Sequence, residues 1–385
     1  MKTGWERSTI GNFCEVIAGQ SPEGKFYNTD GIGLPFYQGK KDFGEKYIKA
    51  PTTWTSETTK TARKDDILMS VRAPVGPINF ATEDICIGRG LAAIRSKGQL
   101  DGDFLFYQLL HLQPEIAGKE GAVFASINKS EIAALPISVG PLSEQQRIVA
   151  LLDEAFGGIA TAKANAEKNL QNARALFESH LQSVLREKKW KWKTLGELCE
   201  DVEYGSSAKS KAEGGVPVLR MGNIQDGRFD WGKLVYTDDK AEIKKYLLKH
   251  NDVLFNRTNS PELVGKTAIY KSEIPAIFAG YLIRINRKED LLDADYLNYF
   301  LNSQIAFDYG KTVVISSVNQ ANINGTKLKS YPIPVPTLSD QKAIVAVLND
   351  LSDETQRLES IYQKKLVALD DLKKSLLHQA FSGCL

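Results

Sequence analysis

Two stretches of the chain place apolar residues at the alternating three- and four-residue steps that are typical of long helices packed side by side. The first stretch runs through Ile159, Ala166, Leu170, Phe177 and Val184. The second stretch runs through Leu358, Tyr362, Leu369, Leu372 and Leu376. About 40 helical residues span about 60 Å, which is too long for one small core. The pattern therefore predicts two long helices that need a packing partner.

Each predicted helix follows an extended segment that contains proline, at residues 135–141 and 331–336. Proline at this density blocks a helix and favours an extended backbone. Ser143, with Gln146 at the third helical position, predicts a capping box at the start of the first helix. Ser339, followed by an acidic first turn, predicts the cap of the second helix.

The segments that precede the two helices have a different pattern. Residues 1–141 and 190–336 contain short runs of β-type residues, such as Ile67-Leu68-Met69, separated by Gly and Pro. Short apolar runs between turn residues predict a compact mixed domain that contains a curved sheet. The predicted order is a domain at 1–141, a helix at 142–189, a second domain at 190–336 and a second helix at 337–385.

The second half of the chain repeats the first half. Four segments return in the same order, about 190 residues later: residues 5–14, 33–37, 66–70 and 141–150 correspond to 192–199, 215–219, 252–256 and 337–346. A repeat of this length indicates a tandem duplication. The duplication predicts an α+β fold with two similar β-rich domains. Both long helices would bury their seams if they paired with each other, so we expect them to separate the domains as an antiparallel intramolecular coiled coil with pseudo-twofold symmetry.

The composition is that of a globular protein, with 42% hydrophobic and 25% charged residues in a chain of 385. No apolar run is long enough to span a bilayer, and the first residues lack the apolar core of a secretory signal. Cys14, Cys86, Cys199 and Cys384 are scattered, as expected in a reducing compartment. These features predict a cytoplasmic protein.

The net charge of +2 does not by itself predict a nucleic-acid partner, so phosphate binding would require basic side chains gathered on one face.

The sequence predicts neither catalytic residues nor a metal site. His111, His180, His250 and His378 are isolated from each other along the chain. Two glycine-containing segments, residues 19–25 and 260–267, depart from the phosphate-loop pattern at required positions. The Asn/Asp-Pro-Pro-aromatic motif of adenine methyltransferases is absent.

Several motifs resemble those of type I restriction–modification specificity (S) subunits. The resemblance rests on PLSEQQRI at 141–148 and PTLSDQKAI at 336–344, the entries to the two helices. Further matches are GLPFYQGK at 33–40, GVPVLRMGNI at 215–224 and LLHQAFSG at 376–383. The resemblance extends over nearly the whole chain, and its motifs follow the order of the duplicated segments.

The resemblance implies a non-catalytic protein that reads double-stranded DNA. Each domain would be a target recognition domain for one half of a split, asymmetric site, and the helices would set the spacer between the halves. The helices would also dock two modification (methyltransferase) subunits, and restriction/translocase subunits would join through the complex. S-adenosylmethionine, ATP and Mg²⁺ would be bound by those partner subunits and no cofactor by this chain, and no membrane contact is expected.

Candidate DNA-binding residues are side chains that can read bases or hold phosphates and that follow strand-like runs. In the first domain they are Gln38, Lys40, Lys41, Arg72 and Arg89. In the second domain they are Arg220, Asn223, Arg257, Asn259, Asn319, Gln320 and Asn322. Two other classes of protein stay open from the residues alone. One is a stand-alone DNA-modifying enzyme with unrecognised motifs, and the other is a protein-binding scaffold.

Overall fold

The computed structural model of the chain describes residues 4–117, 126–317 and 320–382. The chain forms two compact units, and each unit joins a β-rich domain to segments of two long helices. The first unit comprises Met1–Glu167 and Lys364–Leu385, and the second comprises Lys168–Gln363. The first unit is therefore built from two segments that are far apart in the chain, whereas the second is one continuous segment.

The first unit begins with short strands and ends in a long helix. Its strands are β1 (Glu6–Thr9), β2 (Cys14–Ala18), β3 (Tyr27–Asn28), β4 (Leu34–Tyr37), β5 (Trp54–Thr55), β6 (Thr61–Ala62), β7 (Ile67–Ser70), β8 (Ile78–Phe80), β9 (Ile85–Ile87), β10 (Leu91–Ser96) and β11 (Pro136–Val139). Its helices are α1 (Ile10–Phe13), α2 (Gly102–Ile116), α3 (Lys129–Ala133) and the beginning of α4 (Leu142–Leu185).

The strands of the first unit form two main sheets. One sheet has the antiparallel order β2-β10-β7-β8, and the other has the order β3-β5-β4-β9-β6 with β4 parallel to β9. Strand β1 pairs with β11, which brings the two ends of the domain together. All four residues of β7 are buried, as expected for an inner strand covered on both faces. Met69 of β7 belongs to the same core as Phe104 of α2 and Leu377, so a late segment of the chain completes this unit.

The second unit repeats this plan with further short strands. Its strands are β12 (Lys191–Thr194), β13 (Cys199–Tyr204), β14 (Val216–Leu219), β15 (Ile224–Gln225), β16 (Arg228–Phe229), β17 (Val235–Thr237), β18 (Val253–Asn256), β19 (Thr258–Asn259), β20 (Thr267–Ile269), β21 (Ile277–Phe278), β22 (Leu282–Arg287), β23 (Ile315–Ser317), β24 (Gln320–Asn322) and β25 (Pro332–Val335). Its helices are α5 (Leu195–Leu198), α6 (Lys240–Tyr246), α7 (Ala294–Leu301), α8 (Gln304–Val313), α9 (Gly325–Lys329) and the beginning of α10 (Leu338–Ser382).

The four-stranded sheet, the pair of terminal strands and one parallel strand pair of the second unit correspond to those of the first. The antiparallel order β13-β22-β18-β20 corresponds to β2-β10-β7-β8, and the β12–β25 pair corresponds to β1–β11. Strand β14 lies parallel to β21, as β4 does to β9. Phe255 of β18 and Tyr296 of α7 share a core with Leu348 of α10. The predicted α+β class and the duplication of a β-rich mixed domain are confirmed.

The two long helices pair in opposite directions within each unit. In the first unit the Nζ atom of Lys373 lies 4.9 Å from the centre of the Phe156 ring, and Lys163 forms an ion pair with Asp370. Residue numbers therefore rise along α4 as they fall along α10. In the second unit Arg174 Nε lies 2.6 Å from Glu359 Oε1. The predicted antiparallel helix pair is confirmed.

The residues predicted for the seam of α4 are buried or half-buried, whereas two of those predicted for α10 are exposed. On α4, Ile159 and Ala166 are buried, and Leu170, Phe177 and Val184 are half-buried. On α10, Tyr362, Leu369 and Leu376 are half-buried.

The wrong positions on α10 are Leu358 and Leu372, whose side chains are 38% and 47% exposed. The positions that follow them, Glu359 and Lys373, are half-buried instead. Successive residues of a helix are rotated by about 100° about its axis. A seam position predicted one residue too early therefore lies off the packed face.

The two residues predicted to cap the long helices, Ser143 and Ser339, both lie inside those helices. The N–H groups of Glu144 and Gln145 donate to the carbonyl oxygen of Pro141, at 2.9 and 3.0 Å, so Ser143 lies within the first turn of α4. In the second helix, Thr337 Oγ1 accepts a hydrogen bond from the Asp340 N–H group at 3.2 Å. Thr337 is the cap there, and the prediction of Ser339 was wrong.

A buried glutamine joins each long helix to its domain. Gln145 Nε2 donates to the carbonyl oxygens of Gln99 and Gly140, at 3.2 and 2.9 Å, and its Oε1 accepts from the Asp101 N–H group at 2.8 Å. Gln341 makes the same three kinds of bond in the second unit. We call this arrangement the glutamine joint. Because a buried amide needs all its partners, the joint fixes how the helix leaves the domain.

No helix among residues 4–117, 126–317 and 320–382 combines the length and the apolar character needed to cross a bilayer.

Candidate nucleic-acid interface

Three strand ends of the first unit meet at one edge of the domain. Strands β4 and β9 are parallel, so both end there, and the Gly88 N–H group donates to the carbonyl oxygen of Tyr37 at 2.8 Å. The Val71 N–H group, just after β7, donates to the carbonyl oxygen of Gly90 at 3.0 Å. The residues that follow these strands therefore lie on adjacent loops. We call this surface the first edge; its predicted members are Gln38, Lys40, Lys41, Arg72 and Arg89.

Two glycines allow the loops of the first edge to approach each other closely. A Cβ atom on Gly90 would lie 2.2 Å from the carbonyl oxygen of Gln38, and one on Gly88 would lie 3.1 Å from the Gln38 Cα atom. Side chains at these positions would push the loops apart. Arg89 stands between the two glycines with an exposed side chain, and its N–H group bonds Ser21 Oγ at 3.3 Å.

The basic side chains of the first edge form no ion pair within the described residues. All five of its members are exposed, and in the described ranges none of its lysines and arginines forms an ion pair. Arg95, in contrast, donates to both carboxylate oxygens of the buried Asp66, at 2.9 and 2.7 Å. Basic groups without a carboxylate partner are suited to phosphate, since they lose no existing ion pair when they bind it.

The second unit forms the corresponding edge on the same backbone frame. Strands β14 and β21 are parallel, and the Ala279 N–H group donates to the carbonyl oxygen of Leu219 at 2.9 Å. The Arg257 N–H group, just after β18, donates to the carbonyl oxygen of Tyr281 at 3.0 Å. We call this surface the second edge. Its predicted members are Arg220, Arg257, Asn259, Gln320 and Asn322.

The side chain of Arg257, on the second edge, is held by two contacts. Its Nε donates to the carbonyl oxygen of Gly280 at 3.0 Å, and its Cζ lies 4.9 Å from the centre of the Tyr204 ring. The Tyr204 hydroxyl in turn accepts a hydrogen bond from the Gly325 N–H group at 2.7 Å. Sequence reasoning missed Tyr204, although it directly precedes a glycine that corresponds to Gly19 in the repeat.

A small sheet presents the amide side chains of the second edge. Strand β19 pairs with β24, and Asn322 Nδ2 donates to Thr258 Oγ1 at 2.7 Å. Asn259 and Asn322 are half-buried, and Gln320 is exposed. The predicted residue Asn319 lies outside the described residues. Tyr281, also missed from the sequence, is 52% exposed next to Arg257.

Asn223 and Arg220 differ in their access to a ligand. Asn223 is only 3% exposed; its Nδ2 donates to the carbonyl oxygens of Asp230 and Gly232, and its Oδ1 accepts from the Arg220 N–H group at 3.0 Å. The side-chain amide of Asn223 thus makes its hydrogen bonds to the backbone of its own loop, and we do not include Asn223 in the second edge. Arg220 is exposed, and one of its terminal nitrogens donates to the Lys233 carbonyl oxygen at 3.2 Å.

Two thiols, one in each unit, are buried and not activated. Burial raises the pKa of Cys14 to about 11 and also raises the pKa of Cys199. A protonated, buried thiol is a poor nucleophile and a poor metal ligand. In the part of the chain that the structure describes, no group of three or more His, Cys, Asp or Glu side chains is arranged to hold a metal ion.

Comparison with known proteins gives a match along both halves of the chain. The family model described as the type I restriction modification DNA specificity domain matches residues 2–170 and again 187–366. A protein of Methanocaldococcus jannaschii, assigned provisionally as the MjaX type I restriction enzyme specificity subunit, is 40% identical over 174 residues. These residues are 44% of this chain and 40% of that protein. The EcoKI specificity subunit of Escherichia coli K12 is 25% identical over 281 residues, which are 68% of this chain and 60% of that protein. Both alignments span less than two thirds of the relative's length.

A solved structure shares the fold. Its title is "Structural basis underlying complex assembly and conformational transition of the type I R-M system". One of its chains superposes with a TM-score of 0.81 at 19% identity, covering 100% of this chain and 99% of the other. At this identity the likeness shows the fold alone.

Proposed function

The chain belongs to the family of type I restriction modification DNA specificity domains, and from this premise we propose that it is the DNA-reading subunit of a type I restriction–modification complex. Each unit would read one half of a split site. The first edge and the second edge would be the surfaces that meet the two half-sites.

One observation carries this proposal: the two edges share a backbone frame but differ in side chains. Val71 and Arg257 occupy the same position in the two edges: the Val71 N–H group donates to the Gly90 carbonyl oxygen, and the Arg257 N–H group donates to the Tyr281 carbonyl oxygen. In the first edge the exposed arginine, Arg72, comes one position later. Lysines and arginines dominate the first edge, whereas amides dominate the second. Because amides pair best with adenine and arginine with guanine, unlike edges favour unlike half-sites. We therefore propose an asymmetric site.

We propose that the paired helices set the spacing between the half-sites and bind two methyltransferase subunits. Dimeric DNA-binding proteins fix half-site spacing through a rigid connection in the same manner. Exposed apolar side chains support a docking role. The second unit exposes Val347 and Ile361 of α10, and the first exposes Val367 and Leu372 of the same helix. Apolar side chains exposed on a helix are suited to a protein partner.

We propose that catalysis takes place in partner subunits in the cytoplasm. Methyl transfer from S-adenosylmethionine, and cleavage driven by ATP and Mg²⁺, would be carried out by the modification and restriction subunits, while this chain binds none of these cofactors. The buried cysteines with raised pKa values agree with a protein that supplies no nucleophile. A direct check is to incubate the purified chain alone with labelled S-adenosylmethionine and DNA, where we expect no methyl transfer.

The test of the proposed function is to map methylated sites in cells. The chain is expressed with its own modification subunits in a host that lacks such a system, and the methylated adenines are located by sequencing. We expect one two-part motif with unlike halves and an unread spacer. A control strain expresses the modification subunits without the chain and should show no such motif. Methylation that does not depend on the chain, or a motif without a spacer, would contradict the proposal.

A further inference from the structure

We propose that Arg257 reads a guanine in the half-site bound by the second unit. This inference rests on the proposed function and adds a base and a contact to it. The argument depends on the way in which the guanidinium group of Arg257 is held.

The guanidinium of Arg257 is anchored at one end and open at the other. Its Nε–H group is bonded to the Gly280 carbonyl oxygen, and one face of the group lies over the Tyr204 ring. Within the described residues, its two terminal nitrogens have neither a hydrogen-bond nor an ion-pair partner. The terminal N–H groups of an arginine form a fork that fits the O6 and N7 atoms of guanine.

The surroundings of Arg257 reduce the freedom that it would lose on binding. Its N–H group donates to Tyr281, and its carbonyl oxygen accepts from the Ile323 N–H group at 2.9 Å. Tyr204 is held by its hydrogen bond to Gly325. A side chain that is ordered before it binds loses less entropy when it forms a contact, so this arginine is prepared for a defined partner.

A guanine fits this site better than a phosphate does. Arg257 is half-buried, and its neighbours on the second edge are the amides Asn259 and Asn322. The lysines and arginines of the first edge, in contrast, are all exposed. A guanidinium that is held in one orientation with both terminal nitrogens open is suited to the two acceptors of a guanine edge, whereas phosphate contacts can also be made by lysines, small polar side chains and backbone N–H groups.

The first unit has no such arginine at the corresponding position. Val71 makes the same two backbone bonds, donating to Gly90 and accepting from Ile127, but its side chain is apolar. The guanine contact should therefore occur in one half of the site.

The experiment measures binding of the complete methyltransferase complex to its mapped site. Each guanine of the two halves is replaced in turn by 7-deazaguanine, which pairs normally but lacks the N7 acceptor. In the wild-type complex we expect at least one guanine at which this replacement weakens binding about fivefold or more. With Arg257→Gln, binding to the unmodified site should fall about 5- to 150-fold. One guanine, in a single half, should then no longer respond to the replacement, while any other responsive guanine keeps its response.

Arg228→Gln is the matched control. Arg228 lies in the same unit, and its terminal nitrogen lies 3.9 Å from an Asp353 oxygen of α10. The control removes the same charge but should keep the response to 7-deazaguanine. A second pair of variants tests the stacking: Tyr204→Leu should weaken the preference for that guanine, and Tyr204→Phe should retain it.

Two outcomes would overturn the inference. If Arg257→Gln weakened binding equally to all duplexes, while the response to 7-deazaguanine persisted, Arg257 would be a phosphate contact. If the variant bound as well as the wild type, Arg257 would lie away from DNA. Failure of the wild-type complex to prefer any sequence would instead contradict the proposed function itself. Thermal unfolding of each variant shows whether a loss of binding reflects a loss of fold.

Discussion

At the scale of single residues, buried amides govern how the domains meet the helices. Gln145 and Gln341 are both fully buried, and each satisfies backbone groups on two segments of its domain. The same bonds occur in both units although the surrounding side chains have diverged. A buried amide that joins several loops makes each of them depend on the others.

Replacing Gln145 by alanine should lower the free energy of unfolding by about 1–3 kcal/mol, because the Asp101 N–H group and two carbonyl oxygens would lose their partner in a buried place. The neighbouring Gln146→Ala is the matched control. Gln146 is exposed, and its replacement should change stability by less than about 0.5 kcal/mol. Chemical denaturation of the three proteins measures the difference. Equal stability of the two variants would show that the joint contributes nothing.

The sequence identifies residue types at the edges but not the direction of each side chain. Asn223 and Asn322 look alike in the sequence, each an amide in a polar segment. In the structure the Asn223 side chain lies within its loop and donates to backbone carbonyl oxygens. The Asn322 side chain is half-buried on the small sheet and donates to Thr258. That choice depends on where the chain brings Asp230 and Gly232, which is tertiary information. The same reason explains why Tyr204 was missed: its role follows from Arg257, more than fifty positions away.

At the scale of elements, the helix pair is held by its seam more than by its charges. The ion pair of Lys163 with Asp370 is solvent-exposed, and such pairs add at most about 1 kcal/mol. Ala166 is almost fully buried one turn further along α4. A small residue buried on a seam lets the two backbones approach, so its size matters.

Replacing Ala166 by leucine should destabilise the protein by about 1–3 kcal/mol, because the seam has no room for the added atoms. Ala164→Leu adds the same atoms at an exposed position of the same helix, and should change stability by less than about 0.5 kcal/mol. Thermal and chemical unfolding of both variants provide the comparison. A stable Ala166→Leu protein would mean that the helices are more loosely packed than the burial of Ala166 indicates.

The apolar pattern was sufficient to predict both helices but not the full seam of α10. Apolar residues occur on α10 at Leu358 and Ile361 as well as at Tyr362. A seven-residue period can therefore be drawn through either of two adjacent stripes on the surface of the helix. In the structure the seam includes Glu359, whose side chain forms an ion pair with Arg174 on α4. A polar residue on the seam gives no signal in a hydrophobic pattern. Its partner becomes visible only when the two helices are seen together.

At the scale of the whole molecule, the duplication was the most informative property of the sequence. It predicted two domains of one plan, since the repeated segments keep their order. It could not show that each compact unit includes helical residues from the other half of the chain. Leu377 in the first core and Leu348 in the second come from one helix, and only the folded chain assigns them to different units.

A deletion of seven residues from each helix tests the role of the helices as a spacer. Residues 160–166 of α4 and 367–373 of α10 are centred on the Lys163–Asp370 pair, so removing both keeps the remaining seam in register. The helices should shorten by about 10 Å, which is about three base pairs of DNA. We expect a methylation motif with a spacer about three base pairs shorter and unchanged half-sites. Deleting only residues 160–166 is the control, since it breaks the register and should abolish methylation. Altered half-sites in the double deletion would show that the helices do more than measure distance.

The glutamine joint has a consequence for how such genes diversify. Because both domains connect to their helix through the same backbone partners, a crossover at the DNA encoding residues 141–145 or 337–341 would graft a foreign domain onto a connection that it already fits. The hybrid would inherit new base contacts while the helix kept its exit from the domain. A junction that both domains of the chain share would thus let an exchange of gene segments move a whole domain without rebuilding its connection to the helix.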